Sequence, residues 1–148
     1  MSDTREMFQV FARRFGFLNK NCCSVGGVEL SLVQSHILYE IDKKKNSSMA
    51  EIAETLGLDI TTFSRQIKTL EKENLLTKTP SDEDKRVYLL NLTTEGSFIV
   101  GAINEQMNQN LDEVFSTMSS FEKEMVLNSI QLLNQAMVKT SACCKPMN

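Results

Sequence analysis

The stretch from Ser48 to Leu92, SMAEIAETLGLDITTFSRQIKTLEKENLLTKTPSDEDKRVYLLNL, decides the fold. Ser48 with Glu51 three residues on is a capping-box pattern ahead of the apolar Ile52, Ala53 and Leu56, and Gly57 supplies the left-handed residue that ends a helix. Asp59 then caps a second helix, whose expected inward stripe is Ile60, Phe63, Ile67 and Leu70 and which finishes near Asn74. Only a very tight turn separates the two. After Asn74 the period changes. Leu75-Leu76-Thr77-Lys78 and Val87-Tyr88-Leu89-Leu90-Asn91-Leu92 are rich in strand formers, and Thr79-Pro80-Ser81-Asp82-Glu83-Asp84-Lys85 between them is turn material. Two short helices joined by a tight turn and followed directly by a β-hairpin make a winged helix-turn-helix.

Outward from this module the chain is helical. Upstream, Ser31 with Gln34 caps a helix carrying Leu32, Val33, Ile37, Leu38 and Ile41, which runs out in Lys43-Lys44-Lys45 at the negative end of its dipole. Before it, Met7, Phe8, Val10, Phe11, Phe15 and Leu18 recur at helical spacing, and Asn19 through Gly27 reads as a loop. Downstream, Thr93 or Thr94 opens a long helix with Phe98, Ile99, Ala102, Ile103, Leu111, Val114 and Phe115. Ser119 with Glu122 caps a last helix bearing Phe121, Met125, Leu127, Ile130, Leu133, Ala136 and Met137, and the tail from Lys139 has no periodicity. The fold class expected is mainly α with a small β-hairpin. Residues 31–92 form the winged helix-turn-helix, and residues 1–30 with 93–148 form a helical region. The outer helices are too extended to bury their stripes against the module alone, and a second chain would cover them, so a homodimer is expected.

Composition fits a single compact domain: 148 residues, 41% hydrophobic, 24% charged, with six glycines and two prolines. No apolar run approaches the ~20 residues of a bilayer-spanning helix and the start lacks a hydrophobic signal region, so a cytoplasmic protein without membrane partners is expected. The net charge of −3 excludes a nonspecific polycation, but its distribution is uneven. Residues 1–58 carry seven basic and seven acidic groups, residues 59–90 six and six, and residues 91–148 three and six. A polyanion would therefore meet the first two thirds of the chain.

At ~100° per residue, Thr61, Arg65, Lys68 and Lys72 fall opposite the stripe of the second helix of the module, with Thr62, Gln66 and Thr69 alongside. Hydroxyl, amide and cationic groups there suit base edges and phosphates in a major groove. An ordinary solvated helix face is the competing reading. At the hairpin tip, Asp84 stands two residues from Arg86, where a carboxylate can orient a guanidinium that protrudes toward a narrow, negative minor groove. The competing reading there is a surface ion pair that stabilises a turn by well under ~1 kcal/mol.

The run Asp84-Lys85-Arg86-Val87-Tyr88-Leu89-Leu90-Asn91-Leu92-Thr93-Thr94-Glu95-Gly96 resembles the wing and the start of the long helix in the MarR (multiple antibiotic resistance regulator) family of bacterial transcription factors. Leu56-Gly57-Leu58-Asp59 through Ser64-Arg65 resembles that family's turn and recognition helix. The resemblance implies that Arg86 probes the minor groove, that Asp84 holds it, and that Thr61, Thr62, Ser64, Arg65 and Lys68 contact DNA in the major groove. It further implies an obligate homodimer on palindromic double-stranded operator DNA, usually repressing transcription. Asp82 and Glu83, acidic beside the wing tip, depart from the pattern and would weaken phosphate affinity or sharpen its salt dependence.

The resemblance also implies an effector, a small aromatic acid in the crevice between the dimerisation helices and the module, or oxidation of a cysteine. No cofactor is required. Four cysteines lie in two adjacent pairs, Cys22-Cys23 and Cys143-Cys144, in a compartment that keeps thiols reduced. If the pairs meet in space they would suit a soft metal or metalloid, or an oxidant that cross-links them. The bland alternative is packing, since cysteine is among the most buried residue types. His36, the only histidine, lies inside a helix without a carboxylate or second histidine spaced to join it, and reads as a packed or surface side chain. An adaptor that uses a winged helix to bind protein instead of DNA would carry apolar residues where Thr61, Arg65 and Lys68 stand. An enzyme is not expected, for there is no CxxC, no glycine-rich phosphate loop and no histidine placed beside a cysteine.

Overall fold

A computed structural model describes residues 3–22 and 24–140. Helix α1 (Thr4–Cys22) leads into a two-stranded hairpin, β1 (Ser24–Val25) and β2 (Val28–Glu29). Then come α2 (Leu32–Lys43), β3 (Ser47–Ser48), α3 (Met49–Leu56), α4 (Ile60–Lys72), β4 (Leu76–Pro80), β5 (Tyr88–Leu92), α5 (Thr94–Ser116) and α6 (Ser120–Val138). Two of the three expected capping boxes form; at Ser48 only half of one is made, the hydroxyl accepting the Glu51 amide at 3.2 Å. The Ser31 hydroxyl accepts the Gln34 amide while the Gln34 side chain accepts the Ser31 amide, and Ser119 with Glu122 does the same at α6. Gly57 ends α3 in the left-handed conformation at φ 64°, which lets α4 begin three residues later.

The core is drawn from Leu30 to Ile103. Ile37, Leu38 and Ile41 of α2, Ile52 of α3, Phe63, Ile67 and Leu70 of α4, Leu90 of β5 and Ile99 with Val100 of α5 are all buried. β5 is central in a three-stranded antiparallel sheet of order β3-β5-β4, with Ser47 opposite Leu90 and Lys78 opposite Leu90 on the other side. Among the described residues, neither α1 nor α6 supplies a side chain to this core. α6 has no buried side chain, although Phe121, Met125, Leu127, Ile130, Leu132 and Leu133 all lie on it.

Four local expectations change. In the stretch from Asn19 to Gly27 read as a loop, α1 instead continues to Cys22, and Gly26 and Gly27, both at positive φ, turn Val25 back onto Val28 as a two-residue hairpin. β3 was absent from the sequence pattern, since its two serines gain strand geometry only by pairing with Leu89 and Leu90, some forty residues away. β4 continues through Thr79 and Pro80, which had read as turn material, because Thr79 faces Leu89 and Pro80 faces Tyr88 across the ladder. Ile60 was placed on the inward stripe of α4 but is 55% exposed, because it is the first residue of the helix and projects past the core that holds Phe63.

Candidate nucleic-acid interface

α4 is held at three points, and these decide which side chains remain outside. Its buried stripe anchors one face in the core. At its start, Asp59 accepts the Thr62 amide at 2.9 Å and the Thr62 hydroxyl at 2.7 Å. These bonds, the amide first and the hydroxyl second, hold the Asp59 carboxyl below the usual carboxylate range. On its flank, the Gln66 side-chain oxygen accepts from the Gln34 amide nitrogen at 3.1 Å. The direction of that bond is set by chemistry: the Gln34 oxygen already accepts the Ser31 N–H at 3.0 Å, so its nitrogen must be the group that faces Gln66.

The outer face of α4 then carries Thr61, Arg65, Lys68 and Lys72, all exposed. Thr62 and Ser64 are half-buried at the two margins of this face, so α4 presents fewer fully open hydroxyls than its sequence alone indicates. Thr69 is exposed, but its hydroxyl turns back to donate to the Arg65 carbonyl at 3.2 Å.

The wing supplies a second cationic element. Asp84 accepts from Arg86 three times, from the backbone amide at 3.0 Å, from Nε at 3.2 Å and from one terminal guanidinium nitrogen at 3.3 Å. The side-chain bonds first and the amide second hold the Asp84 carboxyl below the usual range. The Arg86 side chain is nevertheless 91% exposed. A guanidinium fixed in direction while open to solvent has already lost part of the rotamer freedom it would lose on docking. Lys85 pairs with Asp82 at 3.9 Å, which returns one of the acidic tip residues to local neutrality. Nearer the base of the hairpin, Lys78 Nζ lies 4.4 Å from the centre of the Tyr88 ring.

Behind the module, α5 is joined to the end of α4 by a corner that local patterns did not reveal. Asn74 takes a left-handed conformation at φ 60°, its carbonyl accepts the Thr93 hydroxyl at 2.7 Å, and its side chain donates to Glu95 at 3.3 Å. The Leu75 carbonyl accepts the Thr93 amide at 3.1 Å, and Gly96 passes so close that a β-carbon there would stand 1.9 Å from the Leu75 oxygen.

Two hollows flank α1. One, of about 320 Å³, lies between α1, α2 and α5 and includes Phe15, His36, Tyr39, Glu40 and Ile103 in its lining. The other, between α1 and α6, is almost wholly apolar, with Met7, Phe8, Phe11, Met125, Ile130 and Leu133 on its walls. His36 is exposed at the edge of the first hollow, and among the described residues no group of three or more histidine, cysteine, aspartate and glutamate side chains is placed to hold a metal. Cys22 ends α1, with its side chain outside the described set, and Cys23, Cys143 and Cys144 lie outside the described residues, as do the contacts expected between the pairs. None of the helices in the described residues is long and apolar enough to cross a membrane.

Comparison with known proteins places this geometry. The sequence model of the MarR family matches residues 30–88, the span that contains α4 and the wing tip. The chain is 29% identical over 128 residues to YxaD, an uncharacterized HTH-type transcriptional regulator of Bacillus subtilis strain 168, covering 86% of this chain and 88% of the relative. Its fold is similar to that of Streptococcus pneumoniae FabT in complex with DNA, with a TM-score of 0.77 at 18% identity over 88% of this chain and 92% of FabT. It is also similar to MepR of S. aureus in a DNA complex, with a TM-score of 0.75 at 17% identity over 92% and 99% of the two chains. Over residues 30–88 the winged module matches the MarR family's own pattern, and the described helices share the fold of these two solved structures.

Proposed function

We propose that the chain is a homodimeric transcriptional repressor that reads operator DNA with α4 in the major groove and Arg86 in the adjacent minor groove. The observation that carries this reading is the Asp84–Arg86 pair, which holds an exposed guanidinium in a fixed direction at the tip of a wing. A narrow minor groove concentrates negative potential, and a pre-directed cation collects that attraction at a reduced entropic cost. Thr61, Arg65 and Lys68 supply donors along α4, with Thr62 and Ser64 at its margins, and Asp59 and Gln34 fix how far the helix stands out.

The open apolar faces of α1 and α6 support a paired form of the chain. Apolar side chains on α1 and α6 stand open, including Phe11 at 52% and Phe121 at 73% exposure, and each contributes about 1.5–3 kcal/mol when fully buried. A two-fold pair built on these helices presents two copies of α4 to one duplex and doubles the phosphate contacts that a module of balanced charge lacks. An effector in the hollow between α1, α2 and α5 would bear on α4 through α2, since α2 carries Gln34, the partner of Gln66. The cysteine pairs offer a second route of release, through a soft metal or an oxidant.

The test is a titration of the promoter upstream of the protein's own gene at several salt concentrations, with wild type and Arg86→Ala. The reading predicts tight, salt-dependent binding by wild type and a marked loss in the variant with an unchanged melting temperature. Equal affinities would remove Arg86 from the interface, and no binding by wild type would remove the reading itself.

A further inference from the structure

We infer that the hollow between α1, α2 and α5 takes a hydrophobic cation, such as a protonated aromatic amine, in preference to an aromatic carboxylate. This rests on the effector reading above and names the ligand class. A hollow of about 320 Å³ accommodates a one- or two-ring molecule. Phe15, Tyr39 and His36 bring three rings to its lining, and Ile103 with Val100 adds aliphatic surface.

Glu40 decides the charge. It is the only formally charged side chain among the described residues of the lining, with neither lysine nor arginine beside it there. Its side chain is 17% exposed, so its carboxylate is largely withdrawn from water. Lys44 lies 3.9 Å away, beyond hydrogen-bond range, and its ammonium donates instead to the Thr55 hydroxyl at 3.2 Å. The carboxylate is therefore only partly compensated from within the chain. A second carboxylate brought into the hollow would be desolvated next to a like charge with no lysine or arginine among the described lining residues to receive it. An ammonium would gain the attraction of Glu40 and of the ring faces together.

The test uses three probes of one shape: 1-naphthylmethylammonium, 1-naphthoate and 1-naphthylmethanol. The chain has no tryptophan, so naphthyl emission is read against a low background. With the full chain at neutral pH, the ammonium should bind at least about tenfold more tightly than the carboxylate. Glu40→Gln should weaken the ammonium about tenfold and leave the alcohol within about twofold, the alcohol serving as the check that the hollow still folds. Stronger binding of the carboxylate, a preference unaltered by Glu40→Gln, or failure of all three probes to bind would overturn the inference. Operator binding measured on the same samples separates the two claims. Arg86-dependent DNA binding without ammonium selectivity refutes only the ligand class, whereas ammonium selectivity without DNA binding upholds the site and refutes the regulator reading.

Discussion

Replacing Gly96 by alanine tests the corner that joins α4 to α5. A glycine inside a helix is ordinarily improved by alanine, by about 1 kcal/mol. Position 96 reverses that sign. A β-carbon there would stand 1.9 Å from the Leu75 carbonyl oxygen, so α5 must move by about 1.5 Å to restore ordinary contact near 3.4 Å. The movement would break the Thr93 amide bond to Leu75 at 3.1 Å and the Thr93 hydroxyl bond to Asn74 at 2.7 Å. Two hydrogen bonds at about 1 kcal/mol each and about 1–3 kcal/mol of overpacking, less the helix gain, leave a net loss of about 2–4 kcal/mol. Urea denaturation followed by circular dichroism reads it, at one fixed chain concentration because association contributes to stability. Gly101→Ala is the control, since a β-carbon there meets nothing within 4 Å, and it should leave stability unchanged or raise it by up to about 1 kcal/mol. Gly96→Ala as stable as wild type would refute the argument, for α5 could then not be seated on Leu75 as described.

Other expectations follow from the interface and the open helices. Arg86→Ala should weaken operator binding about ten- to hundredfold with little change in melting temperature, and Asp84→Ala should weaken it less, because the guanidinium remains but loses its direction. Phe11→Glu together with Ile130→Glu should shift the sedimenting mass from that of a dimer to 16.7 kDa and abolish operator binding, whereas an unchanged mass would place the dimer contact elsewhere. The carboxyls of Asp59 and Asp84 are held below their ordinary value near 3.8, so their stabilisation is complete above it and is lost as pH falls through the still lower folded values. The melting-temperature gap between wild type and Asp59→Asn should therefore be constant above about pH 5 and shrink in more acid solution, and a gap independent of pH would contradict the cap. Replacing all four cysteines by serine should leave basal operator binding intact while removing any response to arsenite or peroxide. A response that survives in the variant would dismiss the thiols as sensors.

What could be read from the sequence was what short-range physics controls. The boxes at Ser31 and Ser119, the left-handed stop at Gly57 and the cap at Asp59 depend on groups within five residues of one another, and all stand as read. The Asp84–Arg86 pair was legible for the same reason, being only two residues apart. What escaped was contact across the chain. Nothing near Ser47 signals a strand, because its ladder partner is Leu90. Gln34 looked like a cap residue and is one, yet its nitrogen also holds Gln66 on the recognition helix, thirty-two residues away. Gly96 matched a family motif without its reason, which is the Leu75 carbonyl beneath it. The Gly26-Gly27 turn carried a usable hairpin signal that a polar, glycine-bearing stretch concealed. Glu40 could not be linked to Phe15 before the helices were in place, so the character of the hollow was beyond reach of any local pattern.

The central claim is that α4 enters a major groove while Arg86 enters the minor groove beside it. Chemical footprinting of the protein's own promoter, probing guanine N7 in the major groove and the sugar backbone across the minor groove, addresses both at once. The account predicts two protected major-groove segments about one helical turn apart, each flanked outward by minor-groove protection, and predicts that Arg86→Ala loses the flanks while keeping the centres. Flanks that persist in Arg86→Ala, or protection confined to a single groove segment, would contradict it.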